Sequence, residues 1–122
     1  ARLQVERLIV ERMHRYEDGK IAVAPVSLSL MDEAGATEED MEDIAAFLGQ
    51  IEGVETSVTI RELEGGACKL SVRTSGGLNA TRVCALLGGG GHAAAAGCTV
   101  DGTLEEAEGA ILDAIRQVEN HA

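Results

Sequence analysis

Val5, Leu8, Ile9, Met13 and Tyr16 recur at helical spacing, which predicts an amphipathic helix over residues 2 to 16, stopped by Asp18 and Gly19. Lys20 to Ala24 (KIAVA) reads as a short strand ended by Pro25, which has no N–H to give a sheet. In SLSLMDEAG, Ser27 and Ser29 alternate with Leu28 and Leu30 as in a strand, yet Ser27 can also cap a short helix to Ala34; the helix is the favoured reading. Thr37 followed by Glu38, Glu39 and Asp40 is an N-cap with acids placed against the positive end of a helix dipole. Met41, Ile44, Ala45, Leu48 and Ile51 then form one apolar stripe, which Gly53 closes.

A period of two follows. Glu55 to Leu63 and Ala67 to Thr74 read as strands joined through Glu64, Gly65 and Gly66, the composition of a hairpin turn. In the second run Cys68, Leu70 and Val72 take one face, leaving Lys69, Ser71 and Arg73 on the other, so Arg73 emerges at the strand's end away from the apolar side. Asn79 caps a short helix through Leu87, a glycine loop comes next, and Gly97 to Val100 looks like a last short strand. Thr103 with Glu106 is a capping box for a final helix whose stripe is Leu104, Ala107, Ile111, Ile115 and Val118. This order predicts an α/β fold, a mixed β-sheet flanked by helices in a single small domain.

Composition adds limits. With 122 residues and 45% hydrophobic content the chain can fill one modest core. Tyr16 and Phe47 are its aromatics, so that core is built from Ala, Val, Leu and Ile. No stretch approaches the roughly 18 to 20 apolar residues of a membrane span, and the first dozen residues lack a signal peptide's apolar run, so a soluble, cytoplasmic protein with no membrane partner is expected. Cys68, Cys84 and Cys98 are odd in number and far apart, which encodes neither a disulfide framework nor a zinc site; buried thiols are expected. The chain opens at Ala1 without a methionine and enters a helix at once, and is expected to be a piece of a longer polypeptide.

A net charge of −11 argues against a general nucleic-acid coat, since sequence-independent binding is driven by Lys and Arg. The distribution says more. All 21 acids lie at or before Glu64 or at or after Asp101, whereas residues 65 to 100 hold Lys69, Arg73, Arg82 and His92. That window reads as an anion-accepting face on an acidic body, or else as a buried Gly/Ala-rich segment with no room for charge.

Within it lies GGGGHAAAAG, Gly88 to Gly97. Four consecutive glycines lose much backbone entropy on folding, so the segment needs unusual φ values or the close approach of another group. Such a run can turn successive N–H groups inward as an anion nest, and His92 adds a donor able to carry positive charge. The Walker pattern is absent, and the preceding helix offers the loop its negative end. Attraction for an anion must then come from the N–H groups, His92 and Arg73. The competing reading is a glycine-rich helix C-cap and turn, with His92 simply hydrogen-bonded.

These residues carry a resemblance. GGGGHAAAAG resembles the GGGH-x-x-A-A-G signature of the DHH-associated domain of subfamily one, the C-terminal half of DHH phosphoesterases: nano-RNA oligoribonucleases that also dephosphorylate 3′-phosphoadenosine 5′-phosphate, RecJ-like exonucleases, and cyclic-dinucleotide phosphodiesterases. KLSVRTSG is similar to that family's S-x-R-S strand end, IEGVETSVTIREL to its helix-to-strand passage, and GATEEDMEDIAAFL to the helix before it. The resemblance spans Gly19 to Val118, leaving residues 1–18 as an N-terminal connecting helix and 19–122 as the substrate-binding domain.

The resemblance implies that Arg73, Thr74, Ser75, Gly89, Gly90, Gly91 and His92 hold a substrate phosphate. Thr74 stands where serine is usual and keeps a hydroxyl; Cys98 stands where a large apolar residue is common. No aromatic lies in the window to stack a base, so recognition is expected mainly of phosphate and sugar. The family's metal site, including its Asp-His-His run, lies in the preceding domain. Here His14, His92 and His121 have no carboxylates at ligand spacing that would close a two-metal site. The resemblance therefore implies no catalytic residue, metal ligand or cofactor in this chain, which alone would be inactive. Manganese would sit in the catalytic half of a metal-dependent phosphoesterase. The implied partners are that N-terminal DHH domain of the same polypeptide and a short oligonucleotide or nucleotide phosphate, with RNA, DNA and cyclic dinucleotide left open. Two alternatives stand beside it: a non-catalytic nucleic-acid-binding module, like the related appendage of alanyl-tRNA synthetases, and a small stand-alone protein whose loop is structural.

Overall fold

The structure, a computed structural model, describes the backbone of residues 2–121 and the side chains of residues 6–121. Val5, placed on the first apolar stripe, has its side chain outside the described residues. Helix α1 (Arg2–Arg12) leads into strands β1 (His14–Tyr16) and β2 (Ile21–Val26), then helices α2 (Leu28–Ala34) and α3 (Glu38–Leu48). Next come the hairpin β3 (Thr56–Leu63) and β4 (Ala67–Thr74), helix α4 (Ala80–Ala85), the hairpin β5 (Gly90–His92) and β6 (Ala95–Asp101), and helix α5 (Leu104–Asn120). The strands form one sheet in the order β1-β2-β3-β4-β6-β5. β2 and β3 run parallel, joined by the α2–α3 crossover, and every other neighbouring pair is antiparallel. The α/β fold with a mixed sheet is as expected.

Both faces of the sheet carry helices. Ile21, Val23, Val58, Ile60, Leu70 and Val72 point one way, into a core shared with α4 and α5. Ala24 and Val26 point the other way, joining Leu8 and Ile9 of α1, Leu30 and Ala34 of α2, and Met41, Ile44 and Leu48 of α3. The caps read from the sequence are formed. Ser27 accepts from Leu30 N–H, and Thr37 and Thr103 make reciprocal capping boxes with Asp40 and Glu106. All three cysteines are buried thiols.

Four local expectations are corrected. The first helix ends at Arg12, and His14 to Tyr16 form an edge strand instead of a fourth turn. Glu17 and Asp18 adopt left-handed φ values of 51° and 58°, turning the chain so that Tyr16 pairs with Ile21. Ladder bonds to β2 thus override the local helical period beyond Arg12. Pro25 lies inside β2 and does not end it. β1 pairs only with Ile21 to Val23, so on that side the missing N–H of Pro25 leaves no ladder bond unmade. α3 stops at Leu48, ahead of Ile51, which still packs half-buried in the second core. Finally, the last strand starts at Ala95, and the glycine loop itself supplies β5.

Candidate phosphate-binding groove

The registers put the candidate residues into rows. Ser57 of β3, Arg73 of β4, Ala95 of β6 and His92 of β5 are successive cross-strand partners. Cross-strand partners share a face, here the one opposite Leu70 and Val72. Thr59, Ser71, Gly97 and Gly90 form the next row. α3 covers this face over β3, where Ser57 and Thr59 are buried, and packs along the edge of β4, leaving Ser71 and Arg73 half-buried and β5 exposed. Arg73, beside α3, and His92, on the exposed edge strand, stand on this face two strands apart, about 10 Å between Cα atoms at ~4.8 Å per strand. Ala95 is the residue between them in the row, so an anion can settle on the sheet between the two side chains.

The four glycines divide into two pairs with different work. Gly88 N–H donates to Ala85 O at 3.1 Å and Gly89 N–H to Cys84 O at 2.9 Å, closing the carbonyl end of α4. Gly88 has φ 84°, and a Cβ on Gly89 would lie 2.1 Å from Gly97 O. So the expected nest of N–H groups does not form at its first two glycines, because the unsatisfied helix carbonyls take those donors; the C-cap reading holds there. Gly90 and Gly91 lie in the edge strand and line the open surface. A Cβ on Gly91 would come 2.6 Å from Ala96 Cα, while Gly90 faces open space, where a ligand can approach the backbone.

Thr74 and Ser75 support this surface from its end. The Thr74 hydroxyl donates to Leu78 O at 2.7 Å, and its N–H to Ala94 O at 3.0 Å. Ala93 O accepts from Ala80 N–H at 2.8 Å, so the two-residue turn Ala93–Ala94 after His92 is tied to both β4 and α4. Ser75 is exposed, and its N–H donates to Glu55 O. Behind the groove, Cys84 and Cys98 meet thiol to thiol. That contact, with burial, pushes the Cys84 thiol up, so it stays protonated.

The open surface forms the floor of a groove of about 310 Å³ walled by α3, with Arg73, Gly90, Gly91 and Ala95 to Gly97 on the sheet side. Glu42 and Ala45 form the helix side, and Ser71 and Glu42 continue into a smaller 60 Å³ hollow beside Arg61 and Lys69. The acid-free window of the sequence is thus not acid-free in space, because the crossover brings Glu38 and Glu42 against it. Glu38 is neutralised by Arg61 at 3.1 Å.

A polar cluster at the opposite edge is not legible in the sequence. Glu108 of α5 is buried and accepts hydrogen bonds from the Tyr16 hydroxyl and from His14 Nδ1 at 2.9 Å, pinning β1 to the body. His14, expected on a helix, is therefore a strand residue with a structural partner. The hydrogen bond to Glu108, then burial and the carboxylate's charge, push the Tyr16 phenol up to about 12 from its ordinary 10. A folded-state value above the unfolded one gives stability that is complete below pH 10 and is lost as pH rises toward 12. Urea unfolding at stepped pH is expected to show a steeper alkaline loss in the wild type than in Tyr16→Phe; identical slopes would contradict this contact. Among the described residues no group of three His, Cys, Asp or Glu side chains could hold a metal ion. No helix among the described residues is long and apolar enough to cross a membrane.

Residues 18–120 match the DHHA1 domain. The chain is similar to the bifunctional oligoribonuclease and PAP phosphatase NrnA of Thermus thermophilus, with 41% identity over 93 residues, which is 75% of this chain and 28% of that protein. An exopolyphosphatase-related protein from Bacteroides fragilis superposes with a TM-score of 0.85 at 26% identity over 95% of this chain and 34% of its own. A pGpG-specific phosphodiesterase, PggH from Vibrio cholerae, shares the fold with a TM-score of 0.63 at 13% identity, over 99% of this chain and 40% of its own. The chain spans between about a quarter and two fifths of these relatives' lengths. With the glycine-histidine hairpin, the strand-end arginine and nearly the whole sheet inside the matched region, the chain belongs to the DHHA1 domain family.

Proposed function

We propose that this chain is the substrate-binding domain of a cytoplasmic DHH-type phosphoesterase acting on short oligonucleotides or 3′-phosphoadenosine 5′-phosphate. The observation that carries this reading is the Arg73–Ala95–His92 row on the sheet face beside α3, with Gly90 open next to it. Arg73 supplies a planar fork that matches phosphate oxygens, and His92 supplies a second donor from the edge strand. Thr74 and Gly89 act from behind, holding the hairpin that carries His92. The name of the Thermus relative, an oligoribonuclease and PAP phosphatase, supports this substrate class. It also favours the esterase over a synthetase appendage. Bond cleavage belongs to a manganese-dependent domain elsewhere in the polypeptide, and this chain's residues bind and orient.

Titrating the chain with 3′-phosphoadenosine 5′-phosphate and following backbone amides by NMR tests the location. The largest shifts are expected at Arg73, Gly90 to His92 and Ala95. Shifts confined to the acidic hollow around Glu17, Glu55 and Glu119, or none at all, would contradict it.

A further inference from the structure

The groove does not end at Arg73. Along β4, Lys69 projects from the same face as Arg73 with Ser71 between them, and Lys69 is exposed with Thr99 as its cross-strand partner. The 310 Å³ hollow at Arg73 and the 60 Å³ hollow at Lys69 share Ser71 and Glu42, so the two hollows adjoin along β4. Four residues of strand separate them, roughly 13 Å at ~3.4 Å per residue, too far for a single phosphate between Arg73 and His92 to sit on Lys69 as well. Arg61, the other cation in the smaller hollow, is already paired with Glu38, which leaves Lys69 as the cation there to meet an anion.

We propose that these adjoining hollows form two subsites for a linear chain of phosphates, with one phosphate held by Arg73 and His92 and a later one by Lys69. The inference rests on the proposed phosphate-binding role of Arg73 and His92 and assigns the direction in which the rest of the substrate lies: along β4, toward the hairpin turn at Gly65 and Gly66. Glu42 stands on the wall between the two cations and repels a phosphate from the intermediate position, which keeps the subsites distinct. Lys69 is thus a specificity residue that distinguishes a strand from a mononucleotide.

The test uses the 122-residue chain and two probes, adenosine 5′-phosphate and 5′-phosphorylated triadenylate, with Kd followed by NMR at several KCl concentrations. The wild type is expected to prefer the triadenylate by about tenfold, with a salt dependence steeper by ~0.7 in log–log slope for each additional phosphate neutralised. Lys69→Ala is expected to remove most of that preference and lower the slope by ~0.7, leaving the mononucleotide Kd unchanged. Arg82→Ala, on α4 across the sheet, is the charge-matched control and is expected to change neither. The inference is overturned if Lys69→Ala leaves the triadenylate Kd and slope unchanged, or weakens both probes by one factor. Failure of the underlying reading looks different: Arg73→Ala would then leave the mononucleotide Kd where it was.

Discussion

Gly89→Ala is expected to unfold this domain some 10 °C below the wild type, whereas Gly90→Ala, one residue on, is expected to leave Tm nearly unchanged and abolish phosphate binding. The added methyl on Gly89 would lie 2.1 Å from the Gly97 carbonyl oxygen and 2.5 Å from Cys98 Cβ, both in β6. Neither is the tip of a flexible side chain, so α4 and β6 must separate. Overpacking of this kind costs about 2 to 3 kcal/mol, which for a domain of this size shifts Tm by roughly 10 °C. A methyl on Gly90 meets nothing within 4 Å and stands on the groove floor instead. Surface changes of that sort stay within about 0.5 kcal/mol. Differential scanning calorimetry with a phosphate titration separates the two. Equal Tm values for both variants would contradict the division of the glycine run into a cap and a floor.

Much of this architecture can be read locally. The β4 alternation places Lys69, Ser71 and Arg73 on one face without any structure, and the Thr37 and Thr103 caps need only three residues each. What escapes the sequence is non-local. GGGG does not say that its first half satisfies helix carbonyls and its second half pairs with a strand, because that pairing depends on β6 being held against β4. His14, Arg15 and Tyr16 continue a helical period, yet Glu108, more than 90 residues away, claims two of them. The empty stretch between Glu64 and Asp101 suggests a face without acids until α3 swings Glu42 over it. The candidate residues themselves were legible, through the strand-end arginine and the glycine-histidine run. Their arrangement in one row was not.

The second large effect concerns Arg73 in the full-length phosphoesterase proposed above. Arg73 makes no hydrogen bond or ion pair with other described residues, so its removal should leave the fold intact and cost only what it gives the substrate. A hydrogen bond to a charged group contributes about 1.5 to 3 kcal/mol, and 1.4 kcal/mol is tenfold, so Arg73→Ala is expected to lower kcat/KM by roughly 10- to 100-fold. Arg73→Lys should recover only part of this, since an ammonium keeps the charge and loses the planar fork. If the phosphate is held alike in ground and transition states, the loss falls on KM; a loss in kcat would mean that the clamp tightens during the reaction.

The most direct measurement is kcat/KM on a short oligoribonucleotide for Arg73→Ala, His92→Ala and the double variant in the proposed full-length phosphoesterase. Two residues gripping one phosphate across Ala95 should each lower kcat/KM about tenfold or more, and together by less than the product of the two losses, because they share a partner. Single variants that both retain wild-type kcat/KM would contradict the assignment of this sheet face as the phosphate-binding site.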